Sequence, residues 1–156
     1  MPEFLDLHGV TNKAVRAAAE AAMQRHGLHL GQDHLLAVLW DEDGRTPGEI
    51  AAKVNVSTPA VVKMSGRLID AGLITRCRDD RDNRLVRLWL TDAGRALRQP
   101  VESERRRLEE SVTKDLTAAE RRILLSALTK IQRAASALLA ESHSHSFRQD
   151  QTHLPA

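Results

Sequence analysis

One stretch limits what this chain can fold into more than any other. It runs from Thr46 to Gly94, TPGEIAAKVNVSTPAVVKMSGRLIDAGLITRCRDDRDNRLVRLWLTDAG. Thr46 and Glu49 form a capping box around Pro47, which suits the first helical position. The short helix so opened buries Ile50, Ala51 and Val54 and ends near Asn55. Ser57 caps a second helix over 57–71, with Pro59 in its first turn and Gly72 after its end. Val61, Met64, Leu68 and Ile69 fall at helical spacing and face inward. Leu73 to Arg78 and Leu85 to Leu90 then read as strands; in the second, Val86, Leu88 and Leu90 alternate with Arg87 and Trp89. The joining loop, DDRDNR from Asp79 to Arg84, is too charged to bury. Two short helices beside a charged hairpin are a surface for a polyanion.

The flanks are helical. Residues 1–10 read as a ragged start. Thr11 to His26 is Ala-rich (Ala14, Ala17, Ala18, Ala21 and Ala22), which favours helix and close helix approach, and Gly27 stops it. A second helix over 31–41 carries Leu35, Leu36, Val38, Leu39 and Trp40 as an apolar face. Thr91 caps a highly charged helix over 92–112, which Pro100 is expected to bend. Thr117 and Glu120 make a second capping box, before a helix with Ile123, Leu124, Leu128, Ile131, Ala135 and Leu138 on one stripe. From Ser142 the tail is polar and aperiodic, and is expected to be disordered. The fold class that follows is mainly α with a small β-hairpin: a winged helix-turn-helix with helical flanks.

Totals exclude several classes. At 156 residues and 42% hydrophobic the chain has the length of one domain and enough apolar material for a core. Aromatics are only 3%, so that core is aliphatic. The net charge of +2 is nearly neutral. Ser57 to Arg107, however, holds 12 basic and 7 acidic residues, 12 − 7 = +5, a local footprint for an anionic surface. The one cysteine, Cys77, cannot form an internal disulfide, which fits a reducing cytoplasm; it falls in a strand, where it is expected to be half-buried. The longest apolar run, Leu35 to Trp40, is too short for a bilayer, and no signal-peptide pattern opens the chain, so no membrane partner is expected. No nucleophile–base set, Gly-rich phosphate loop or paired-carboxylate motif suggests an enzyme, and no cofactor is called for.

The helix pair, the Asp82-Asn83-Arg84 element of the loop and the following Leu90-Thr91-Asp92-Ala93-Gly94 together resemble the MarR (multiple antibiotic resistance regulator) family, over residues 11–140. The resemblance implies a homodimer that binds a pseudo-palindromic operator and is often released by a small molecule. It implies dimerisation helices in 1–30 and 95–141, a winged helix-turn-helix lobe in 31–94 and a tail in 142–156. Two recognition helices would enter successive major grooves. Ser57 or Thr58 would meet a phosphate at the helix N-terminus. Pro59 and Val62 offer contact to thymine methyls, although Val62 reads equally as half-buried filler. Lys63 would reach a guanine edge or a phosphate, and Arg67, Arg76 and Arg81 phosphates. Arg84 would enter a minor groove. Asp82 has the wrong sign for DNA and is expected to brace the loop by pairing with an arginine.

Effectors in that family often lie between the dimerisation helices and the lobe. Arg16, His26, His29 and His34 are the polar candidates there, with Trp40 and Met23 as apolar wall. Arg16 would suit the carboxylate of a small aromatic acid or phenol, or it simply pairs with Glu20 four residues on. The alternatives are a zinc-responsive repressor using the clustered histidines and a protein-interaction module that has lost DNA binding. No His-x3-His or Cys pair gives chelating spacing, so no metal ligands are assigned.

Overall fold

The computed structural model describes the backbone of residues 3–150 and the side chains of residues 3–141. In order the elements are α1 (Glu3–Gln24), α2 (Gln32–Asp41), α3 (Pro47–Val54), α4 (Thr58–Asp70), β1 (Ile74–Arg78), β2 (Val86–Leu90), α5 (Asp92–Ala96), α6 (Arg98–Thr113) and α7 (Ala118–Asp150). The fold is mainly helical with one two-stranded antiparallel hairpin, as the periodicity predicts.

The caps explain the boundaries. Thr46 and Glu49 exchange both bonds of the capping box, Glu49 N to Thr46 Oγ1 at 3.2 Å and Thr46 N to Glu49 Oε2 at 2.7 Å. Ser57 Oγ accepts from Ala60 N at 3.3 Å and opens α4. Thr117 and Glu120 repeat the box at the start of α7. Three boundaries differ from expectation. Residues 3–10 are not ragged: α1 begins at Glu3, and Phe4 and His8 stack one turn apart with ring centroids at 5.6 Å. The expected long helix over 92–112 is two helices broken at Leu97. Pro100 has no N–H for the carbonyl of Ala96, so the ladder fails there and not merely bends. The stretch from Ser142, expected to be unstructured, is helical to Asp150, since neither Gly nor Pro follows Thr117 within it. Residues 151–156 lie outside the described part.

The hairpin pairs Ile74 with Leu90, Arg76 with Leu88 and Arg78 with Val86. Ile74, Leu88 and Leu90 therefore share the face turned to the core, while Thr75, Cys77, Arg87 and Trp89 share the other. One aliphatic core joins Leu35, Leu36 and Leu39 of α2, Ile50 of α3, Val61 and Leu68 of α4 and the hairpin's inner face. Met23 of α1 and Val101 of α6 belong to it too, and the chain forms two compact units, Met1–Val112 and Thr113–Ala156.

Two glycines hold the hairpin's root. A Cβ on Gly94 would overlap the carbonyl oxygen of Leu73, which already accepts from Thr91 N at 3.0 Å. Gly44 sits at φ +72°, and a Cβ there would run into the ring of Trp89.

Candidate nucleic-acid interface

Helix α4 presents two faces. Val61, Ser65 and Leu68 are buried, and Ser65 Oγ donates to the carbonyl of Val62 at 2.9 Å. Ser57, Thr58, Pro59, Val62, Lys63 and Arg67 are all exposed and fall on the N-terminal half and outer side. Val62 is 51% exposed, too open for the half-buried filler that its residue type also allowed. An apolar side chain set among a lysine, an arginine and two hydroxyls on one open helix is suited to a groove that offers both methyl groups and phosphates.

The wing carries four arginines whose side chains make no hydrogen bond or ion pair among the described residues: Arg76, Arg78, Arg81 and Arg84. The fifth, Arg87, is tied down. Its Nε donates to Asp79 Oδ2, and its Nη1 donates to Gly44 O at 2.9 Å and stands 3.7 Å from Glu49 Oε2. Asp79 also accepts the backbone N–H of Arg81 at 2.8 Å and of Asp82 at 3.0 Å. The Arg87 guanidinium and these two amides hold the Asp79 carboxyl down to about 2 from an ordinary 3.8. The loop's ionic brace is therefore Asp79, not Asp82. Asp79 shares Arg87's face of the hairpin diagonally, within side-chain reach. The Asp82 carboxylate, out at the tip, accepts only from Arg84 N at 3.0 Å among the described residues. Cys77, expected half-buried, is exposed, because it too lies on the face turned away from the core.

A hollow of about 520 Å³ lies behind α4, lined by Val15, Arg16 and Ala19 of α1, Leu30, Gly31 and His34, Val54 and Val56, and Ala60 and Met64 of α4. Arg16 and His34 are its polar groups, and no carboxylate lines it. The other candidates lie elsewhere. His29 Nδ1 is 2.9 Å from Glu20 Oε1, and Glu20 also accepts from Leu30 N at 2.7 Å. That backbone bond, then His29, lowers the Glu20 carboxyl. Glu20 is thus occupied by His29 and Leu30 and not by Arg16. His26 points to Glu104, its Nε2 3.6 Å from Oε2. Trp40 is not a pocket wall: it is 8% exposed, and its Nε1 donates to Gly94 O at 2.9 Å. Its position on α2 falls on the core side, beside Leu36 and Leu39. Met23 lines a neighbouring hollow of about 300 Å³ with Asp33, His34 and Arg105. No group of three or more His, Cys, Asp or Glu side chains that could hold a metal ion occurs among the described residues.

Residues 28–86 match the model of the MarR family. The chain is 29% identical over 126 residues to the uncharacterized HTH-type transcriptional regulator YdgJ of Bacillus subtilis, covering 81% of this chain and 74% of that protein. Residues 28–86 are a MarR-family segment. The HTH-type transcriptional repressor MdtR of the same bacterium is 34% identical over 73 residues, 47% of each protein. A DNA complex of MepR from S. aureus has the same fold, with a TM-score of 0.77 at 23% identity over 84% of this chain and 97% of that one.

With that MarR-family segment the chain is a DNA-binding transcriptional regulator and not an enzyme. The structure brings the α4 residues together on one open helix and places Arg76, Arg81 and Arg84 on the wing. It separates the five proposed effector residues, keeping only Arg16 and His34 in one hollow. Sequence reasoning missed Asp79 and Arg87 as a pair. The available signal was the strand's two-residue period, which puts 77, 79 and 87 on one face once the pairing register is known.

Proposed function

We propose that this chain is a homodimeric cytoplasmic repressor that releases a pseudo-palindromic operator when a small aromatic or phenolic acid fills the hollow beside Arg16. The observation that carries the reading is the make-up of that hollow: an apolar wall, one arginine without a partner among the described residues, a histidine and no acid. An anionic head on a flat apolar body is the complementary ligand. Two of the wall residues, Ala60 and Met64, are on α4 itself, so an occupant would touch the recognition helix directly. A ligand that binds the DNA-free arrangement better lowers DNA affinity by the same factor.

In this reading α4 enters the major groove, with Lys63 and Arg67 on its open side, and Arg84 enters the minor groove. Exposed apolar rows support the dimer. Phe4, Leu5, Leu7 and Val10 stand open on α1, and Ile123, Leu124, Leu128 and Leu138 on α7. By length and composition Ala118–Glu141 would also suffice to cross a membrane. Lys130 and Arg133 near its middle favour a partner helix, because each would cost about 2.5–3.5 kcal/mol at a bilayer centre.

The test is fluorescence anisotropy on a duplex that the protein itself selects from a randomised pool, titrated with benzoate, 2-hydroxybenzoate and phenol. Release by an acid from the wild type, and its loss in Arg16→Ala, is the expected result. If no member of the panel shifts either DNA binding or the thermal midpoint, the effector reading is wrong.

A further inference from the structure

Counted by charge, Arg87 is one more cation on a DNA-binding wing. Its bonds say otherwise. The guanidinium reaches three separate elements: Asp79 at the mouth of the loop, the carbonyl of Gly44 in the turn between α2 and α3, and Glu49 in the first turn of α3. Each of those partners is itself fixed. Asp79 keeps one carboxylate oxygen for Arg87 and uses the other to gather the backbone amides of Arg81 and Asp82. Glu49 is the capping-box partner of Thr46. Gly44 lies under the Trp89 ring, and the turn around it is laced to β2 by Leu88 N to Arg45 O at 2.9 Å.

The result is a continuous path from the start of α3 to the backbone of the wing tip. Helices α3 and α4 share one core, so the path sets the tip's attitude relative to the recognition helix. We propose that Arg87 is a positioning residue for DNA binding: through Asp79 it holds the loop that presents Arg81 and Arg84, without itself contacting DNA. A planar fork is needed, because an ammonium group cannot serve a carboxylate and a carbonyl on different elements with fixed directions. Pulling Arg87 onto a phosphate would first require breaking the pair with Asp79 and the bond to the Gly44 carbonyl.

The experiment measures DNA affinity against salt for Arg87→Gln, Arg87→Lys, Asp79→Asn and the double variant Arg87→Gln/Asp79→Asn, on a duplex selected from a randomised pool. The expected loss is on the order of tenfold for each single variant, with no change in the slope of log affinity against log salt. Arg87→Lys should fall with Arg87→Gln, although it keeps the charge. The double variant should be no worse than either single one, because both cut the same path. Three results would overturn the proposal: a salt slope lowered by about one unit or more in Arg87→Gln, wild-type binding by Arg87→Lys, or losses that multiply in the double variant. Thermal melts accompany each protein; should Arg87→Gln not fold, Asp79→Asn alone decides through its affinity and slope. A wild-type protein that selects no duplex would refute DNA binding itself, a separate failure.

Discussion

Arg84→Ala separates a contact from a strut. Arg84 is exposed at the wing tip, and its side chain has no partner among the described residues. Removing it therefore costs the free protein almost nothing, within about 0.5 kcal/mol for a surface site of this kind. The loss falls on the complex. A charge-assisted hydrogen bond is worth about 1.5 kcal/mol at the low end of its range, and the proposed dimer carries two such wings. The sum is near 3 kcal/mol, roughly a hundredfold in Kd, with tenfold as the floor if only one wing is engaged. Losing two cations from the phosphate field should also flatten the log–log salt slope by about 1.8. Anisotropy titrations at several salt concentrations read both quantities, and sedimentation reads whether assembly is unchanged. Affinity within threefold of the wild type at every salt would refute the minor-groove assignment. So would an unchanged slope, since a residue that contacts DNA by charge cannot leave it.

Three further substitutions test the framework. Gly94→Ala forces a methyl group onto the backbone of Leu73, which cannot step aside, and should cost about 3 kcal/mol; a thermal midpoint lowered by less than about 3 °C would contradict the geometry. Glu104→Ala removes a buried carboxylate that accepts from Arg25 Nη1 at 2.6 Å and faces the otherwise unpartnered Nε2 of His26; urea denaturation should show a loss of about 1–3 kcal/mol, and none if the site is merely solvated. Asp79→Asn should reveal a pH window. The folded-state value lies below the ordinary 3.8, so the stabilisation is whole above that pH and disappears as the pH falls through about 2. The stability gap between variant and wild type should close across that interval, and a gap that stays constant through it contradicts the ion pair.

Local rules carried most of the fold. The caps at Thr46, Ser57, Thr91 and Thr117 are contained within four residues each, and all four form as read. The alternation of Val86 to Leu90 fixes which hairpin face is buried. What failed was non-local. Trp40 looks like any apolar wall residue until α5 brings the Gly94 carbonyl to its indole, 54 positions along the chain. Asp79 and Asp82 are chemically identical in a loop of alternating charge, and only the register of β1 against β2 decides which one meets Arg87. His26 and His29 fall on the turn between α1 and α2, and His34 on the first turn of α2. A turn followed by a helix start points the three side chains in different directions, and each takes a different carboxylate: His26 Glu104, His29 Glu20 and His34 Asp33.

That same scatter bears on how a signal could leave the hollow. His34 lines both it and the neighbouring hollow, and its Nδ1 stands 3.4 Å from Asp33, a carboxylate only 3% exposed. Asp33 is also 3.8 Å from Arg105 of α6 and accepts from Gly31 N at 3.0 Å. A ligand anion drawn to Arg16 would enter beside His34, and His34 in turn holds the only carboxylate that reaches α6 from this end of α2 among the described residues. On the opposite wall the occupant meets Met64, whose sulfur lies 3.3 Å from where a Cβ on Gly31 would stand. Gly31 has φ +98° and no side chain to yield, so crowding at that point falls on Met64 of α4. Release, on this reading, needs no long relay: the residue that senses bulk and the helix that reads DNA are one element.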